Sequence, residues 1–113
     1  MSEKLAQKRC LPCEGGIAKL SPEQAHSHLQ ALDSQWRLNP SATELTRDCR
    51  FVDYYRVMSF VNALAHVANR ENHHPDLVVG YNRVLVTWTT HAIHGLSEND
   101  FICAAKTDEL LAE

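Results

Sequence analysis

The spacing of the apolar residues changes at Pro75, and this change limits the chain's choices more than any other feature. Before the proline, Tyr54, Val57, Met58, Val61, Leu64, Ala65 and Ala68 follow the spacing of one helix face. Ser59, Asn62 and His66 define a wetter face, and Asp53 stands where an N-cap is needed. Pro75 drives the residue before it out of the α region, so the helix is expected to stop around Asn69 to Glu71. After the proline, Leu77, Val79 and Tyr81 alternate with their neighbours, as do Val84, Val86 and Trp88, which is the period of a strand. Asn82-Arg83 is the expected tight turn between the two strands. Leu85, Thr87, Thr89 and His91 share the returning strand's other face. A long helix must therefore fold back onto a hairpin.

The remaining segments repeat this arrangement. Residues 1–20 read as an irregular lead-in, broken by Pro12 and Gly15-Gly16. Ser21-Pro22-Glu23-Gln24 combines an N-cap, a proline at N1 and a capping-box glutamine, so a helix is expected to about Asp33 with Ala25, Leu29 and Leu32 on one face. Trp36 and Leu38 suggest a short strand ended by Asn39-Pro40. Leu45 to Phe51 suggests a second, with Leu45, Cys49 and Phe51 on a face that Arg47 interrupts. Ser97 caps a last helix running to about Leu111, with Leu96 and Phe101 as a hydrophobic staple. The predicted order is α-β-β-α-β-β-α. Two hairpins separated by a helix imply an α+β fold, a four-stranded antiparallel sheet with helices packed on one face.

A chain of 113 residues, 44% of them hydrophobic, is expected to form a single domain over 1–113. The net charge of −3, with no Lys- or Arg-rich run, argues against nucleic acid as a partner. No apolar stretch approaches the roughly 18 residues of a spanning helix, so no membrane is expected. Met1-Ser2-Glu3-Lys4 leads into polar residues instead of an apolar secretory core. Cys10 and Cys13 form a CxxC, but Cys49 and Cys103 do not supply the second pair of a structural zinc site, and the spacing of His26 and His28 is unusual for one. Pro12 and Glu14-Gly15-Gly16 also fit poorly with a redox helix opening. Reduced thiols in an N-terminal loop of a cytoplasmic protein are the expectation.

Seven histidines are many for this length, and four of them fall between positions 73 and 94. If the second hairpin closes near Asn82-Arg83, its outer ends lie side by side, and His91 comes near Asp76, His73 and His74. Imidazoles titrate near neutral pH and both donate and accept protons. One can protonate a leaving hydroxyl while another removes a proton elsewhere. Zinc is the competing use, but adjacent His73 and His74 diverge on regular backbone, and no carboxylate stands at an HExxH spacing. The expectation is acid–base chemistry and no metal.

Glu71-Asn72-His73-His74-Pro75-Asp76, Tyr81-Asn82-Arg83-Val84, Thr90-His91, and Gly95-Leu96-Ser97 with Asp100 follow one another at fixed intervals. Together they resemble the signature of the pterin-4a-carbinolamine dehydratase family. Cys10-Leu11-Pro12-Cys13, Gly15-Gly16, Trp36, Leu45-Thr46-Arg47 and Phe51 through Tyr54 extend the resemblance over nearly the whole chain. It implies a cofactor-free enzyme that dehydrates a 4a-hydroxytetrahydropterin to the quinonoid dihydropterin, recycling the cofactor of aromatic amino-acid hydroxylases. It also implies assembly into homodimers or homotetramers. Carried onto this chain, the resemblance makes His73, His74 and His91 catalytic. His74, Pro75 and Asp76 would contact the pterin, and Asp100 and Glu71 would support the histidines. Two positions depart from the family pattern. Asn69 stands where members often carry an acid, and Cys49 replaces a usual aromatic. A non-catalytic dimerisation or regulatory module and a zinc hydrolase using the same histidines are the alternative readings.

Overall fold

In a computed structural model, residues 4–12 and 17–112 are described. The elements are α1 (Pro22–Leu29), β1 (Arg37–Leu38), β2 (Leu45–Arg50), α2 (Tyr54–Glu71), β3 (Asp76–Val79), β4 (Arg83–Trp88) and α3 (Glu98–Leu111). Short 3-10 turns lie at Leu5–Gln7 and His91–Ile93. The strands form one antiparallel sheet in the order β1-β2-β4-β3, so the expected α+β architecture is the observed one. No helix is long and apolar enough to cross a membrane among the described residues.

The helices cover the face that alternation assigns to the core. Val84, Val86 and Trp88 of β4 are fully buried with Leu45 of β2, and they meet Val57, Phe60, Leu64 and Ala68 of α2. The buried stripe of α2 therefore runs through Phe60, while Tyr54 and Ala65, expected on it, are exposed. Tyr54 instead stacks on Tyr81 at 6.4 Å.

Two local expectations are corrected. α1 stops at Leu29 because the chain tightens into i→i+3 bonds, with the N–H groups of Gln30, Ala31 and Leu32 donating to Ser27, His28 and Leu29. The second hairpin turns at Tyr81-Asn82, not at Asn82-Arg83, since the Gly80 N–H donates to the Arg83 carbonyl at 2.8 Å and Val79 pairs with Val84. Tyr81 thus belongs to the turn and not to the strand. Among the described residues the lead-in is irregular, as expected, apart from its 3-10 turn, and it is held by long-range bonds. Cys10 N–H donates to Glu71, Leu11 N–H to Asn99, and Lys106 to the Ala6 carbonyl. Cys13 and Gly15-Gly16 lie outside the described residues, while Cys10 Sγ sits 3.4 Å from Cys103 Sγ on α3.

Candidate active site

The site is assembled where α2 ends and β3 begins. Asn72 terminates α2 in the left-handed conformation, φ 52°, its N–H bonding back to the Ala68 and Asn69 carbonyls. Asparagine tolerates this conformation better than most residues. The reversal sends His73 inward and leaves His74 exposed. Pro75 and Asp76 then enter β3.

His73 is buried, and its Nε2 lies 2.6 Å from Asp100 Oδ1. Asp100 is fully buried at the start of α3. Its other oxygen accepts from the Thr90 hydroxyl at 2.7 Å and from the Ser97 N–H at 3.0 Å. A carboxylate only accepts, so His73 donates through Nε2, and its tautomer is set. Three donors around one buried carboxylate offset much of the cost of removing it from water. The same contacts orient the imidazole and cap α3. On one side the His73 ring stacks against the Trp88 indole, with centroids 5.5 Å apart and planes 16° from parallel.

The other two histidines are held more lightly. His74 Nε2 lies 3.0 Å from the Asn69 side-chain oxygen, one helical turn back on α2. His91 is exposed at the start of the 3-10 turn that the Thr90–Gly95 bridge closes. All three imidazoles line one open concavity of about 260 Å³ with Asn72, Thr90 and Ala92. The sequence thus predicted the convergence but not its register. Asp76 pairs with Thr87, a shift of two residues from a turn at Asn82-Arg83. A two-residue slip keeps every side chain on its face, which is why the cluster survives it.

Pro75 and Asp76 adjoin the concavity without lining it. Glu71 does not join the histidines. Its carboxylate takes the Cys10 N–H at 2.8 Å and an ion pair with Arg9 at 3.1 Å. Burial pushes the Glu71 carboxyl up, but the Cys10 N–H and the Lys106 and Arg9 charges outweigh this and hold it below the usual carboxylate range. Among the described residues no group of acidic, cysteine and histidine side chains is arranged to hold a metal ion. Sequence reasoning did not place Thr90, Trp88, Ser97 or Asn69 among the site residues. The first two were within reach of it, because positions 84, 86, 88 and 90 share one parity and all point beneath the helices.

The family described as pterin 4 alpha carbinolamine dehydratase matches residues 18–110. A protein of Nitrosomonas eutropha, provisionally named a pterin-4-alpha-carbinolamine dehydratase, is 52% identical over 107 residues, covering 95% of this chain and 93% of its own. A relative from Legionella pneumophila with the same provisional name is 47% identical over the full length of both chains. Among solved structures, a transcriptional coactivator/pterin dehydratase from Brucella melitensis superposes with a TM-score of 0.80 at 30% identity, over 84% of this chain and all of that one. A pterin dehydratase-like protein identified as a RuBisCO assembly factor in the alpha-carboxysome shares the fold, with a TM-score of 0.61 at 24% identity over 70% of this chain and 92% of its own.

Proposed function

The chain belongs to the pterin-4a-carbinolamine dehydratase family, and from that premise we propose that it eliminates water from a 4a-hydroxytetrahydropterin by histidine acid–base catalysis. One imidazolium passes a proton to the 4a-hydroxyl as its C–O bond breaks and water leaves. A neutral imidazole accepts a proton from a ring N–H as the C=N bond of the quinonoid dihydropterin forms. Protons and electrons balance without an outside oxidant or reductant. His73 and His91 divide the two proton transfers, and His74 orients the pterin ring. Asp100 acts through His73, holding its ring and steadying its protonated form. The substrate is the adduct that aromatic amino-acid hydroxylases leave on their tetrahydropterin, so the reaction would return that cofactor to use.

The observation that carries this reading is the grouping of three imidazoles around one concavity, one of them braced by a buried carboxylate. A shallow site suits the task, because a labile carbinolamine also breaks down unaided and little acceleration is required. Stopped-flow dehydration of freshly generated 4a-hydroxytetrahydropterin tests it. Wild type is expected to accelerate the reaction. His73→Ala and His91→Ala should each lose on the order of 10²-fold or more, the usual worth of a positioned acid or base. His74→Ala should chiefly raise KM. Circular dichroism confirms that the variants fold. No acceleration by the folded wild type would overturn the enzyme reading and leave a non-catalytic binding module.

A further inference from the structure

At the opposite end of the sheet from the histidines lies a second and larger cavity, of about 700 Å³, between β2, α2 and the last turn of α3. Among the described residues its charged lining is one-signed: Arg47, Arg50 and Arg56 face it, and no acidic residue does. Arg47 is the residue that breaks the apolar face of β2, and its side chain is only 11% exposed. Asp108 takes its Nη1 at 2.6 Å, but its Nε is buried with no hydrogen-bond partner. An unpaired buried donor is costly, and the Nε side of a guanidinium is one of the edges that receives a carboxylate in a two-bond fork. Arg50 is shared with Asp48 at 3.0 Å. Among the described residues the Arg56 side chain has no ion pair. The other wall is apolar, built from Leu110, Leu111 and the tilted ring pair Phe51–Phe60, whose centroids are 5.2 Å apart.

We infer that this cavity is a binding site for an organic carboxylate carrying an aromatic body, with the carboxylate between the Arg47 and Arg56 guanidinium groups and the ring against Phe51 and Phe60. Its volume falls within the range of small-molecule sites, which are largely apolar with a few convergent polar groups. Strongly hydrated inorganic phosphate would match the arginines but gain nothing from the aromatic wall. A neutral aromatic would gain the wall and nothing from the arginines. Nothing in this site depends on the dehydratase reading, since none of its residues touches the histidine concavity.

The test is a titration of the full chain with 3-phenylpropionate, followed by the arginine Nε–H signals in ¹⁵N NMR. The expected result is saturable binding with a Kd on the order of 1 mM or tighter, displacing the Arg47 and Arg56 signals and leaving those of His73 and His91 in place. Arg56→Gln removes an exposed side chain without an ion partner and should leave the fold intact while weakening binding about tenfold. 3-Phenylpropanamide and inorganic phosphate should each bind at least tenfold more weakly than the acid. The inference is overturned by any of three results: no saturable shift in folded wild type, equal binding of the amide, or an Arg56→Gln protein that binds like wild type.

Discussion

Asp100 concentrates three duties on two oxygens, and this makes it the most informative single residue. An asparagine keeps one acceptor and replaces the other with a donor, so either His73 or the Thr90 and Ser97 pair loses its partner. Asp100→Asn is expected to cost about 1–3 kcal/mol in urea unfolding, the penalty for stranding a buried polar group. Dehydration should fall by roughly 10²-fold or more, because the imidazole loses both its orientation and its counter-charge. Thr90→Val separates the two effects. It removes one donor to Asp100 but leaves the 2.6 Å contact to His73, so stability should drop while the rate changes by only a few-fold. If the two variants lose activity equally, Asp100 acts as a scaffold and not through His73. Asp100 was legible in the sequence through the resemblance, as a support for the histidines. What sequence could not supply was the distance across the space between α3 and the end of α2.

Element boundaries decide whether the histidines converge. Asp53 caps α2 by accepting the Arg56 N–H at 3.0 Å, and Asp53→Ala should lower stability by about 1 kcal/mol. At the other end, Asn72→Val forces a β-branched residue to φ 52°. It should cost about 1–3 kcal/mol and lower dehydration as well, since the reversal sets where His73 and His74 point. Asn72→Gly should be tolerated in both thermal melts and turnover. The residues that start helices, Ser21, Asp53 and Ser97, were readable because capping is local chemistry. The end of α1 and the turn at Tyr81-Asn82 were not. Gln30, Ala31 and Leu32 suit a helix and a 3-10 turn equally well, and the choice between adjacent two-residue turns is made by pairing β3 to β4. The lead-in shows the same limit from the other side. Its anchors, Glu71, Asn99 and Lys106, lie 61 or more positions away in sequence, where no local pattern reaches.

For the molecule as a whole, that lead-in couples stability to pH. Glu71 has a folded-state pKa below its unfolded value, so its contribution is complete above the unfolded pKa and is lost as pH falls through the folded one. Unfolding free energy is therefore expected to decline as pH drops below about 4. Glu71→Gln should lower stability at neutral pH and flatten this acid limb. An unchanged limb in that variant would show that Glu71 is not its source. Half-buried Asp48, whose carboxyl burial pushes up but Arg83 and Arg50 hold down on balance, adds to the same trend. The sheet order β1-β2-β4-β3 has a kinetic consequence. Every residue of the histidine cluster falls within the continuous span from Asn69 to Asp100, yet the sheet's central seam joins Leu45 to Trp88 and Arg50 to Arg83. Closing that seam carries the larger loop entropy, so it sets the pace of folding while the cluster's own hairpin forms early. Weakening the seam at Thr46, whose hydroxyl meets that of Thr87 at 3.2 Å, should slow refolding in stopped-flow fluorescence more than weakening the β3–β4 hairpin at Val78. The reverse order would place the nucleus in the hairpin.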